Sequence, residues 1–331
     1  MDPSVRNWLC STANPPIRYL ATRDLVPDSD ASLDSLKQAV FQWRPVRDLL
    51  ARQQPDGSFR SLEKKPTAMP TFRALGYLHR CGLDGDDEPV ARALDYLWQN
   101  HCSEGAASHN RGGSGVLPCY VGLVLRPAIE MAGVDHPLVA TSLTWIARHQ
   151  RYDHRTTRAG GDEKWRFRAV ENYGCWKSVS CYHGVVGTMR ALAAVPPRRR
   201  SKEVKVQLQN AIAYLAIHRG YMRSTEDEPL FKHMTQFFLT GGYRFHLIDV
   251  LEGLADADRK LARKPWVRDA VAAVDRQAVN GRIPLVKNYK NELIEPLPLE
   301  PVGKPSRFLT YQWLRVKEKF GLRAASSSSG S

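Results

Sequence analysis

Three side chains able to hold a metal or act as nucleophiles fall within nine residues: Cys175, Cys181 and His183. Zinc takes four nitrogen or sulfur ligands, or three plus a water at a catalytic site. Cys119, at the start of an earlier apolar segment, is the natural fourth candidate, so the sequence admits a zinc site of Cys119, Cys175, Cys181 and His183. Two features resist it. The two cysteines are farther apart than the usual short ligand spacing, so the chain between them must fold back. Cys181 and His183 are two residues apart, and such residues do not face one another on a helix. They converge only if the helix begins after them. A thiol at a helix N-terminus beside His183 or His154 also ionises more readily and can be a nucleophile. A third reading packs both cysteines into the core as small apolar groups. There is no CxxC.

These residues introduce one apolar segment of a series. Apolar residues at helical spacing, preceded by Pro, Ser or Gly, begin near Pro16, Pro70, Pro118, Ser180, Gly241 and Pro305. The interval is about 50–65 residues, the size of a helix pair with its loops. Between them lie amphipathic segments such as VARALDYLWQN and KEVKVQLQNAIAYLAIHRG. Several end in Gln or His followed by a turn, as in Gln53-Gln-Pro-Asp-Gly-Ser-Phe59. Pro45 should kink or restart the helix it enters. The pattern predicts an all-α chain with inner helices at 70–82, 118–133, 180–195, 241–254 and 305–320. Six inner and six outer helices suit a closed double ring, an (α/α)6 toroid forming a single domain over residues 1–323. An open solenoid of helix pairs is the competing arrangement. The Ser-rich tail, 324–331, reads as disordered.

The chain has 331 residues, 43% of them hydrophobic, ordinary for a globular protein with a sizeable core. No apolar run is long enough to cross a bilayer. The N-terminus lacks the basic start and apolar block of a secretory signal, which points to the cytoplasm. Six scattered cysteines fit a reducing compartment. The formal charge of +14 points to an anionic partner or to a surface rich in solvated arginines. The basic residues are dispersed, the tightest run being Arg198-Arg199-Arg200, and no nucleic-acid module is visible. Nucleic acid is therefore not expected, while peripheral membrane contact is left open.

The helix series, the Gln53–Phe59 turn, Pro118-Cys119, the run from Ser180-Cys181 to Ala194, Asp249-Val-Leu-Glu252 and Lys304-Pro-Ser-Arg307 together resemble the α/α-toroid superfamily of terpenoid cyclases and protein prenyltransferase β-subunits. The chain is most similar to short bacterial squalene-cyclase-like, or prenyltransferase-repeat, proteins. The resemblance spans nearly the whole chain and implies the toroid, with an isoprenoid-type substrate in its centre. It departs from the family in its chemistry. Asp84-Gly85-Asp86-Asp87 matches the letters of the Asp-x-Asp-Asp proton donor, but in a polar loop ahead of Pro89, where acids favour a helix N-terminus. No Asp-Asp-x-x-Asp is present.

Inner helices of such a ring would point their N-termini, with unpaired N–H groups and partial positive charge, at one mouth. There the expected catalytic set is Cys181, His183, Tyr243 and His246. Trp165, Tyr173, Trp176, Lys177, Tyr182, Arg307 and Phe308 are the expected substrate-binding set. Lys164, Arg166 and Arg168 in the long loop 151–172 would add positive charge for an anionic head group. Asp162, Glu163 and Glu171 offer carboxylates for a glycosidase-type pair, though their spacing singles none out. The expectation is a protein that binds an anionic, partly apolar, isoprenoid-type small molecule and acts as a cyclase or transferase. The alternative is a non-catalytic binding or scaffold protein on the same ring.

Overall fold

The computed structural model describes residues 2–26, 29–59, 68–103, 106–108, 116–154, 180–239, 244–289 and 300–322. Over these the chain is mostly helical. The helices are α1 (Pro3–Leu9), α2 (Pro15–Leu25), α3 (Leu33–Gln42), α4 (Arg44–Leu50), α5 (Met69–Arg80), α6 (Glu88–His101), α7 (Pro118–Ala132), α8 (Pro137–His149), α9 (Tyr182–Ala194), α10 (Lys202–Ile217), α11 (Leu247–Ala257), α12 (Pro265–Asp275) and α13 (Arg307–Phe320). The only sheet among the described residues is a hairpin of two short antiparallel strands, Cys102–Ser103 and Ala106–Ala107.

Local chemistry sets the helix ends. Asn14 accepts from the Ile17 N–H and Ser306 from the Leu309 N–H, each satisfying a donor that the first turn leaves unpaired. Prolines stand in the first turn of α2, α5, α6, α7, α8 and α12, where a missing N–H costs nothing. Pro45 restarts the chain as α4 after a one-residue break at Trp43. Four of the predicted inner helices are found within two residues of their expected starts. The fifth begins at Leu247 instead of 241, because the Asp249 carboxylate accepts the His246 N–H and fixes the N-cap there.

Two sets of helices emerge from the packing. In the first, α5 packs on α7, α7 on α9, α9 on α11, α11 on α13 and α13 on α2. In the second, α6, α8, α10 and α12 cover α5, α7, α9 and α11 respectively. Almost every residue of α9 is buried, as a helix enclosed on all sides requires. It approaches α7 through Gly122 and Gly187, where a methyl added to Gly122 would lie 2.4 Å from the Gly187 carbonyl carbon.

The turn after α4 shows why its residues recur. Gln53 donates to the carbonyls of Gly57 (3.0 Å) and Pro89 (2.7 Å) and accepts from Arg92 (2.8 Å). One amide thus ties the turn to the start of α6. Gly57 has a φ of +87°, and a Cβ there would meet the Arg92 carbonyl oxygen. Farther along the chain, the Arg200 guanidinium donates to the carbonyls of Ala193, Val195, Asp256 and Ala257, capping α9 and α11 together.

Candidate functional site: a charged internal chamber

A cavity of about 370 Å³ lies between α2, α5, α7, α9, α11 and α13, each of which lends it side chains. Its apolar wall includes Leu20, Leu123, Phe238, Phe245, Phe308 and Tyr311. The rest of the lining is a connected ionic network. Arg190 of α9 stands 2.7 Å from Glu252 and 3.3 Å from Asp249. Arg126 of α7 bonds Asp256 and Glu130 at 2.9 Å each and reaches Glu252 at 3.5 Å. Gln312 of α13 donates to both Asp249 (3.0 Å) and Glu252 (3.2 Å). His79 meets Glu130 at 2.7 Å, Lys319 pairs with Asp256, and Arg315 and Tyr311 share Asp24. Asp249 and Glu252, one turn apart, place both carboxylates on the same face of α11.

Burial works against ionising these acids, yet the surrounding cations prevail. Asp249 is held down at about 2 by His246, Arg190 and Arg80. Glu252 is held well below its usual range by Arg126, Arg190 and Lys319, and Glu130 by Arg126 and His79. These three are therefore anions at neutral pH and not proton donors. His246 is pushed down to about 4, chiefly by burial. The neutral ring gives its Nε2 proton to the Phe238 carbonyl at 3.2 Å and keeps Nδ1 near Asp249. Pro127, inside α7, has no N–H to give the Leu123 carbonyl, and both residues line the chamber.

Arg23, Arg80, Arg126, Arg190, Arg244, Arg315 and Lys319 line the chamber. Five carboxylates, Asp24, Glu130, Asp249, Glu252 and Asp256, pair with them, while Asp84 on the rim is engaged by Lys37 at 2.9 Å.

Of the residues expected from the sequence, Phe308 lines the chamber and His246 backs Asp249. Arg307 does not line it: its guanidinium stacks over Trp8 at 4.7 Å and donates to the Trp8 carbonyl. Tyr182 is buried and donates to the Gly220 carbonyl beyond α10. The first turns of α7 and α9 meet, so that a methyl on Gly184 would lie 3.5 Å from both the Cys119 nitrogen and the Cys181 Cβ. His183 pairs with His233, a residue sequence reasoning missed, with Nε2 atoms 3.1 Å apart and both rings pushed down to about 4, chiefly by burial. Among the described residues no three metal-ligating side chains converge. Cys175, Trp165, Tyr173, Trp176, Lys177 and Tyr243 lie outside the described residues, as do Asp162, Glu163, Lys164, Arg166, Arg168, Glu171 and the 324–331 tail. Asp84 and Asp87 clamp Lys37 of α3, at 2.9 and 3.1 Å, in the loop expected from the sequence.

The network residues had one signal in the sequence. Arg126, Glu130, Arg190, Asp249, Glu252 and Asp256 are the charged members of otherwise apolar helices, and Lys, Arg, Asp and Glu are seldom buried unless paired.

The described residues define a mostly helical protein with a charged cavity lined by α2, α5, α7, α9, α11 and α13. The chain matches no family model and no curated protein. Among solved structures it is similar to a protein from Actinoplanes known from a crystal structure, with 18% identity, covering 86% of this chain and 78% of that one, at a TM-score of 0.41. A likeness of that size carries no conclusion about activity. No helix among the described residues is long and apolar enough to cross a membrane.

Proposed function

We propose that the chamber binds a small molecule with an anionic end and an apolar body, of isoprenoid type, and that the chain acts on it as a cyclase or transferase built on an (α/α)6 toroid. The observation that carries this reading is the meeting, in one cavity, of six arginines and a lysine with a wall of Phe238, Phe245, Phe308 and Leu123. The toroid is supported by the packing circuit. From α5 it runs through α7, α9, α11 and α13 to α2, and it returns to α5 where Tyr19 and Leu20 pack on Gly82, beside the α5 C-terminus. Acid-initiated chemistry is not part of the proposal, since Asp249, Glu252 and Glu130 are held ionised. The basic groups would instead take up charge on a leaving group, with the aromatic faces beside a developing cation.

The same observation of satisfied, permanently charged acids favours one second reading: a binding protein that performs no reaction. Titration calorimetry with farnesyl diphosphate, farnesol and inorganic diphosphate tests binding, and incubation with product analysis separates the two readings. The proposal expects the diphosphate ester to bind more tightly than either part. Arg80→Ala should weaken it about tenfold or more, as loss of a charged hydrogen bond does. Equal affinity for farnesol and its diphosphate, or no effect of Arg80→Ala, would refute the site.

A further inference from the structure

A second concavity lies on the outside, away from the chamber. It is a groove of about 630 Å³ between α10 and the segment from Ala257 to Trp266. Along α10 it is lined at positions 205, 208, 209, 212, 213 and 216, a continuous stripe of one helix face. Its floor is Leu208, Ile212, Leu261 and Trp266, and Arg200, Lys205 and Lys264 stand around it. The single acid among the described residues of its lining, Asp258, is occupied in accepting the Lys260 N–H at 2.8 Å. Nearby, the exposed face of α10 carries Val206 and Ile217, 45% and 46% accessible, which are eleven residues and so about three turns apart on one side of the helix. The flanking segments 197–205 and 258–268 hold ten Lys or Arg against two acids, Glu203 and Asp258.

We infer that this face is an interfacial surface that docks on an anionic lipid bilayer. The charge complementarity is direct: basic side chains on both banks of an apolar groove match anionic head groups lying over acyl chains. The exposed apolar residues decide between a bilayer and an acidic helix from a protein partner. Val206 and Ile217 lie exposed on α10 outside the groove lining, where a bilayer touches them and a helix seated in the groove does not. Arg200 keeps its positive charge but offers no donors to a head group, because its guanidinium is spent on four carbonyls. Lys205, Lys264 and their exposed neighbours supply the contacts.

The test is co-sedimentation of the full chain with phosphatidylcholine vesicles, with and without phosphatidylglycerol. Binding should require the anionic lipid and weaken with salt. A basic residue near a charged surface contributes about fivefold to partitioning. Lys205→Gln with Lys264→Gln should therefore lower it about 30-fold. The same charge change at Arg44 and Arg47, exposed on α4, should have much less effect. Val206→Asp should weaken binding with helical content unchanged by circular dichroism. Equal losses from the two charge pairs would mean that net charge alone attracts the protein, and would overturn the surface. So would equal binding to neutral vesicles, absence of binding, or indifference to Val206→Asp.

Discussion

Adding one methyl to Gly122 should destabilise the protein, although the same change in an isolated helix would stabilise it. Replacing Gly by Ala in a helix interior gains about 1 kcal/mol from backbone entropy. Against that, the new Cβ at Gly122 would lie 2.4, 2.6 and 2.8 Å from the Gly187 C, Gly187 Cα and Thr188 N. All three are backbone atoms of α9, so no rotamer change relieves the overlap. Normal contact requires the helices to part by about 1 Å, and a gap of that size forfeits roughly a quarter to a half of each dispersion contact across it. The contacts at stake are those of Val121, Val124, Leu125, Val185, Met189 and Leu192, all nearly inaccessible. Overpacking costs typically about 1–3 kcal/mol, and an overlap with backbone belongs at or above the top of that range. The net expectation is a loss of about 2 kcal/mol. Gly76 of α5 is the control: a Cβ there meets nothing within 4 Å, so Gly76→Ala should gain about 1 kcal/mol. Urea unfolding of both variants measures the pair. A Gly122→Ala protein as stable as the parent, or a Gly76→Ala protein less stable than it, would refute the reasoning.

Arg190→Met should cost about 3 kcal/mol by urea unfolding, the low end for a broken buried pair, because Asp249 and Glu252 lose their shared cation but keep Arg80 and Arg126 beside them. Adding Glu252→Leu should recover part of the loss, and a purely additive double variant would mean that the pair is not coupled. Stability should also fall on acidification from neutral pH. His183, His233 and His246 have folded values near 4 against an ordinary 6.5, so between those limits the unfolded chain binds more protons and stability drops as pH falls. Asp249, depressed to about 2 from 3.8, withdraws a further contribution as pH falls through that lower window. A urea midpoint that stays level from pH 7 to pH 4 would contradict the histidine burial.

The helices were legible because their signals are local. Prolines in the first turn, the Gln53–Phe59 turn and the apolar periodicity each act within a few residues of where they are read. The start of α11 shows the limit: Gly241 is a plausible opening, but the His246–Asp249 bond sets the end of the helix. The chamber was not legible, since nothing in the sequence tells Arg126 on α7 that its partners are Glu252 and Asp256, about 130 residues away. The cluster of Cys181 and His183 drew the eye by density in sequence. The charges that matter are spread singly over separate helices and meet only in space. Arg307 begins α13 near its expected place, but its stacking on Trp8, nearly 300 residues away, has no signal in the sequence.

The network of Arg126, Arg190, Asp249, Glu252 and Gln312 fixes the orientation of its dipoles before any guest arrives. Such a cavity has little freedom to reorient around a new charge, so its response to different guests is set by the field already present. It would sort molecules by how much charge they bring and where along their length they carry it, more than by small differences in outline. A pair of analogues of equal shape, one singly and one doubly charged, would be told apart without any helix moving.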